Sequence, residues 1–125
     1  MGEKRLSVVL VEDDDDAREA LKKLIELQGH AVATAWNGHT GLLVIRETRP
    51  DVALIDLMLP GVDGFALART LREEGCRSLL FAVSGHARLE DRQRAIEAGF
   101  DGHLPKPVDM QLLAEVLRRA GEPGG

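Results

Sequence analysis

The chain has 125 residues, 44% hydrophobic and 30% charged, which suits one folded domain with a single good core and is a globular rather than a disordered balance. A formal charge of −5, only 3% aromatic residues and no tyrosine argue against base stacking, a general nucleic-acid role and binding to anionic membranes. The single cysteine, Cys76, permits no internal disulfide, the N-terminal stretch has no secretory core, and no apolar run is long enough to span a bilayer, so a cytoplasmic protein with no membrane partner is expected.

Residues 6–11 (LSVVLV) predict a buried β-strand. Glu12 and Asp13 follow at its carboxyl end. Asp14, Asp15 and Asp16 suit the first turn of a helix, where carboxylates complement the dipole. Ala17, Ala20, Leu21, Leu24 and Ile25 then recur at helical spacing until Gly29, with Arg18, Glu19, Lys22, Lys23 and Glu26 on the other side. Residues 31–36 read as a weaker strand and Asn37-Gly38 as a turn. Leu42, Leu43, Ile45 and Arg46 suggest a short helix that stops before Pro50.

Residues 52–55 (VALI) predict a strand buried on both faces, with Asp56 at its end and Pro60, Gly61 and Gly64 opening a loop. Phe65, Leu67, Ala68 and Leu71 make a third amphipathic helix, ended by Gly75. Residues 79–83 predict a fourth buried strand running into Ser84-Gly85-His86. Residues 88–98 predict a helix with a thin apolar stripe of Leu89, Ala95 and Ile96, and with Arg88, Arg92 and Arg94 on its outer side. Residues 102–104 make a short fifth strand before Pro105-Lys106-Pro107. Leu112, Leu113, Val116 and Leu117 form the last helix, with Asp109 as N-cap. Residues 1–121 are expected to form one domain and residues 122–125 a flexible tail.

Strands alternating with helices predict a doubly wound α/β sandwich, (βα)5 and flavodoxin-like, with a parallel sheet in the order 2-1-3-4-5 and Pro105 on an edge strand. That order reverses winding between strands 1 and 3, so Glu12 and Asp13 meet Asp56 in one crevice. Three carboxylates together repel one another and call for a hard cation, and a sparse oxygen set favours Mg²⁺ over Ca²⁺. Ser84 and Lys106, at the ends of strands 4 and 5, add a hydroxyl and an ammonium. Together these are the parts of a phosphoryl-transfer centre, with Asp56 as the nucleophile.

In this order the acidic pair Glu12-Asp13, the Asp56 region with Pro60 and Gly64, Ser84 and Lys106-Pro107 resemble the receiver domains of two-component response regulators, from Leu6 to about Ala120. The resemblance implies a signalling module rather than an enzyme, although Mg²⁺-dependent self-phosphorylation and self-dephosphorylation are expected. Asp56 would accept a phosphoryl group from a phosphohistidine of a histidine kinase or histidine phosphotransfer protein and thereby change the surface offered to a downstream protein. Asp13, Asp56 and the backbone carbonyl of Met58 would bind Mg²⁺ (with Mn²⁺ as a substitute), and Glu12 would act through water. Ser84 and Lys106 would contact the phosphoryl oxygens, and the Lys106–Pro107 bond would be cis.

The resemblance also implies that Met58, Gly85 and His86 flank the mouth of the site, and that the flank of the first helix, with Ala17, Leu21 or their exposed neighbours, receives the phosphodonor. A monomer or weak dimer is expected. The stretch GFDGHLPKPVD resembles receivers of hybrid kinases. Two positions depart from the family. His103 stands where a switching aromatic is usual, and is either an exposed edge-strand histidine or a modified switch that follows Ser84. Ser84 stands where threonine is commoner.

Three other readings compete. An FMN module of the same fold needs a phosphate loop where this chain has EDDDD, and a dehalogenase-type phosphatase needs an acidic residue where Met58 stands. A pseudo-receiver used only for protein contacts is weighed against by the complete set of acceptor, acidic pair, hydroxyl and lysine.

Overall fold

The apolar runs become parallel strands β1 (Ser7–Val11), β2 (Ala31–Ala35), β3 (Val52–Asp56), β4 (Leu79–Ser84) and β5 (Gly102–Pro105) in a computed structural model that describes residues 5–85 and 89–122. Each is followed by a helix: α1 (Asp15–Leu27), α2 (Gly38–Thr48), α3 (Gly64–Glu73), α4 (Leu89–Ala98) and α5 (Met110–Ala120). The sheet order is β2-β1-β3-β4-β5, as the alternation predicts. Pro105 lies on the edge strand β5, paired with Ser84.

Side chains alternate across each strand, so the sheet buries two apolar faces. Val9, Val11, Ala53, Ile55, Leu80 and Ala82 meet Ile45 of α2, Leu67 and Leu71 of α3, and Ala95 of α4. Val8, Leu10, Val52, Leu54 and Val83 meet Leu21 and Ile25 of α1 and Leu113 and Leu117 of α5. All of β3 is buried, which is why its sequence is an unbroken apolar run rather than an alternating one. Each large aliphatic side chain buried in this way contributes about 1.5–3 kcal/mol.

Four of the helices have side-chain caps at their starts. Asp14, Asn37, Asp63 and Asp109 accept from the main-chain N–H of Ala17, Thr40, Ala66 and Gln111. Asn37 corrects the sequence reading, because it begins α2 rather than a free turn. That helix is therefore 11 residues long and starts well before Leu42. In α4, Ile96 is 65% exposed and leaves the predicted stripe, while Ala98 and the following Phe100 are buried instead. Arg94 of α4 stacks over the Phe65 ring of α3 at 4.1 Å. Arg88 and the tail residues 123–125 lie outside the described residues.

The first strand residues carry main-chain groups that the ladders leave over, and side chains from elsewhere take them up. The Leu6 N–H donates to Nδ1 of buried His30 at 3.0 Å, and the Ser7 N–H donates to Asp51 Oδ2 at 2.8 Å. The Leu80 N–H donates to Asp101 Oδ2 at 2.8 Å. Ser78 Oγ donates to the Pro50 carbonyl at 2.6 Å. Arg72 of α3 donates to the carbonyls of Gly99, Cys76 and Ser78 and pairs with Asp101. No described helix is long and apolar enough to cross a membrane.

Candidate functional site

The carboxyl ends of β1, β3 and β5 bring Glu12, Asp13, Asp56 and Lys106 together, and β4 ends beside Lys106 at Ser84. Parallel register aligns Val11 with Ile55 and Asp56 with Val83, so the chain leaves all these strands at the same level. Glu12 and Asp56 are buried, at 1% and 4% exposure, while Asp13 is exposed. One carboxylate oxygen from each of the three lies within 4.8 Å of the others.

Lys106 closes the group. Its Nζ donates to Asp56 Oδ2 at 2.7 Å and to Glu12 Oε1 at 2.8 Å. Burial works against the ammonium, but the hydrogen bonds to Asp56 and then Glu12 outweigh it, and its pKa is raised above the ordinary lysine value. The Lys106 main-chain N–H donates to the Ser84 carbonyl at 2.9 Å, which ties the lysine to the end of β4. Ser84 itself is buried. The Lys106–Pro107 bond is cis, as the resemblance implies.

The remaining oxygens of the buried carboxylates are also held. Asp56 Oδ1 accepts from the Met58 N–H at 2.8 Å, and Glu12 Oε2 accepts from the Asp14 N–H at 3.1 Å. Each carboxylate thus offers one oxygen to the lysine and fixes the other on the main chain, so neither is free to rotate. The loop after Asp56 is pressed tight. A Cβ on Gly64 would sit 2.7 Å from the Asp56 carbonyl, and one on Gly38 would sit 2.4 Å from the Val62 carbonyl. Any side chain at either glycine would push the loop off the site.

Met58 is 71% exposed, two residues past Asp56, with its N–H bonded to the Asp56 carboxylate. Gly85 is exposed, and among the described residues a Cβ there would meet nothing within 4 Å beyond its chain neighbours. His86 lies outside the described residues. His103 is not the exposed edge histidine of one sequence reading. Its ring is half-buried, and its Nε2 is shielded from solvent with no hydrogen-bond partner among the described residues. Burial pushes its pKa down, Arg92 adds to that, and Asp91 opposes it.

Sequence reasoning missed one contributor. Arg18, assigned to the outer side of α1, turns back so that Nη1 donates to the Glu12 carbonyl at 2.9 Å and Nη2 pairs with Asp15. The i, i+3 spacing of Asp15 and Arg18 was the available signal. Leu21, expected among the α1 residues that meet a partner, is buried beneath the helix and cannot do so.

The donor set fits a hard divalent cation. All three side chains offer oxygen, two are buried and prepositioned, and the third faces solvent, from which an ion would enter.

A profile of the family described as "Response regulator receiver domain" matches residues 8–118. The chain is 42% identical over 122 residues to the transcriptional regulatory protein CseB of Streptomyces coelicolor, covering 94% of this chain and 52% of that protein. It is 39% identical to the transcriptional regulatory protein AfsQ1 of the same species, covering 93% and 52%. The chain therefore spans about half the length of the curated relatives it matches. Among solved structures, the receiver domain of Francisella response regulator 1452 superposes with a TM-score of 0.86 at 25% identity, over 94% of this chain and 100% of that one. The chemotaxis protein CheY4 of Vibrio cholerae superposes with a TM-score of 0.87 at 24% identity, over 94% and 99%, which is a likeness of fold. The two relatives are named as transcriptional regulators, so the expectation of no nucleic-acid role is not supported. Neither is the expected hybrid-kinase character of residues 99–109.

Proposed function

The chain belongs to the response regulator receiver domain family, and from that membership we propose that Asp56 is its phosphoacceptor. An Asp56 carboxylate oxygen attacks the phosphorus of a phosphohistidine on a histidine kinase or phosphotransfer protein. The P–N bond breaks, the imidazole leaves with its electron pair, and an acyl phosphate remains on Asp56. The observation that carries this reading is the ammonium of Lys106 held within 2.8 Å of both Asp56 and Glu12. A cation is already positioned where charge accumulates on the transferring group.

Asp13, Asp56 and the Met58 carbonyl would hold Mg²⁺ or Mn²⁺, with Glu12 acting through water. The ion would supply charge neutralisation for the incoming phosphoryl oxygens. The main-chain N–H of Met58 keeps the acceptor carboxylate oriented. Lys106 transfers its hydrogen bond from Asp56 to the phosphoryl group, and the Ser84 hydroxyl supplies a second contact. The lack of a side chain at Gly85 leaves room for the group. Exposed Met58 gives an attacking water nothing to bind, so Met58→Asn and Met58→Lys alter the decay rate of the phosphorylated form.

The domain is a cytoplasmic signalling module whose surface changes on phosphorylation, and His103 follows Ser84 inward as part of that change. Its Nε2, buried and without a partner among the described residues, supports this, because a buried nitrogen without a bond is costly where it stands. In a longer protein of the relatives' kind, the recipient of the signal is an attached segment that acts on transcription.

Incubation with a small acyl phosphate and Mg²⁺ should add one phosphoryl mass to the parent protein and none to Asp56→Asn. No added mass in the parent would leave a pseudo-receiver that works only through protein contacts. NMR of the His103 ring with and without a phosphoryl mimic tests the switch, and an unchanged ring environment would remove it.

A further inference from the structure

Arg18 is the fourth residue of α1 and follows a run of four aspartates, Asp13 to Asp16. Its side chain is only 16% exposed, whereas that of Asp15 is 86% exposed. Long basic side chains on a helix normally keep their charge in water, and ordering one costs rotamer freedom. What holds this one is a bridge: Nη1 donates to the Glu12 carbonyl at 2.9 Å, and Nη2 pairs with the Asp15 carboxylate.

The carbonyl it meets lies just past a strand end. β1 stops at Val11, and Glu12 still gives its N–H to the Ala35 carbonyl at 3.0 Å, but its own carbonyl turns to Arg18 instead of to a neighbouring strand. The next peptide units are fixed as well. The Asp14 N–H reaches Glu12 Oε2, and the Asp14 carbonyl accepts from the Arg18 main-chain N–H at 2.9 Å. Asp13 lies between these anchors, exposed, and its carboxylate accepts no hydrogen bond among the described residues. The main chain alone sets where that carboxylate stands, and the Arg18 bridge is one of the bonds that set the main chain.

Charge and geometry pull in opposite directions here. A guanidinium on the acidic loop weakens the pull of the carboxylates on a metal ion, by at most about fivefold for a partly exposed, screened charge. Outer groups that hold ligands in place are worth about 10–100-fold in metal affinity. Geometry therefore outweighs charge. We propose that Arg18 is a positioning residue for the divalent cation: by bridging the Glu12 carbonyl and Asp15, it holds the loop that presents Asp13 to the ion. The role rests on the proposed reading of Glu12, Asp13 and Asp56 as the cation site.

The probe is Mn²⁺ alone, and its binding to the full chain is read from the loss of the free-ion electron paramagnetic resonance signal. Affinity should fall in the order parent, Arg18→Lys, Arg18→Met, with about tenfold between the first and the last. Lysine keeps the charge and one donor for the carbonyl but not the fork, and methionine keeps only an apolar stem. Charge alone would give another order, with Arg18→Met binding most tightly and Arg18→Lys matching the parent. Higher Mg²⁺ should restore phosphoryl uptake from a small acyl phosphate in Arg18→Met, which a loss of folding would not allow. Either variant against the parent is decisive, so a failure of one to fold leaves the other as the test. The proposal is overturned if Arg18→Lys binds as the parent does, if Arg18→Met binds as tightly as the parent or more so, or if extra Mg²⁺ restores nothing. No Mn²⁺ binding by the parent would instead remove the cation site of the proposed function, and the role of Arg18 with it.

Discussion

At the amino ends of the strands, His30, Asp51, Ser78, Asp101 and Arg72 bind main-chain groups that the sheet leaves over. At the carboxyl ends, Glu12 and Asp56 share the ammonium of Lys106. Both ends are polar and both lie over the same buried strands. The first set spends its hydrogen bonds on the backbone and holds the fold. The second takes one main-chain N–H on each carboxylate and gives the other oxygen to the lysine ammonium, a bond that an incoming phosphoryl group or cation would replace under the proposed function. Stability and chemistry are therefore divided between the two ends, and substitutions can test that division separately at each.

Arg72→Ala should have the largest effect. It strips donors from three main-chain carbonyls and from Asp101, and costs about 3 kcal/mol in urea unfolding by the usual toll for unsatisfied partly buried groups. Phosphoryl uptake by the folded fraction should persist. If the variant kept full stability, or lost uptake while folded, the division would fail.

Lys106→Met should behave in the opposite sense. It leaves Glu12 and Asp56 facing each other and costs about 1 kcal/mol after allowance for the partial exposure of the lysine. Mg²⁺ should restore more stability to this variant than to the parent, as read from melting curves. Equal shifts in both proteins would remove the carboxylate cluster as the ion's site.

His30→Phe should cost about 1 kcal/mol, because it orphans the Leu6 N–H, and should leave phosphorylation unaltered. A change in phosphorylation rate would show that the two ends communicate.

The smallest effect concerns pH. His103 has a pKa below its ordinary value of 6.5 in the folded chain, mainly through burial, with Arg92 adding and Asp91 opposing. The unfolded chain therefore takes up the proton first as pH falls. Stability declines below the ordinary value, and the loss is complete once pH passes the lowered folded value. Unfolding at pH 7.5 and at pH 5.5, experimental settings on either side of the ordinary histidine value, should show a smaller decline for His103→Phe than for the parent. Equal declines would place the acid sensitivity elsewhere.

Legibility in the sequence follows the same division. The strands and their order follow from apolar runs and turn residues, and the site follows from the strand order, because a parallel sheet puts all carboxyl ends at one level. Asp56, Glu12, Asp13, Ser84 and Lys106 could all be named for that reason. The opposite end could not be read. His30 reaches a partner 24 residues away and Arg72 one 27 residues away, and no local pattern marks such pairs. Ile96 was assigned to a buried stripe from helical spacing, but tertiary packing chose Ala98 and Phe100 instead. The long reach of α2 back to Gly38 was hidden because Asn37 serves turns and helix caps alike.

The meeting of Lys106 with the acidic cluster also sets a charge balance. Three carboxylates and one ammonium leave the crevice with two negative charges, which one divalent ion neutralises and one monovalent ion does not. In the proposed function, converting the Asp56 carboxylate into an acyl phosphate would add negative charge to the same space. A monovalent ion then falls further short, while a divalent one is held more tightly. Under the proposed function, cation occupancy of the crevice would therefore rise when the acceptor is filled.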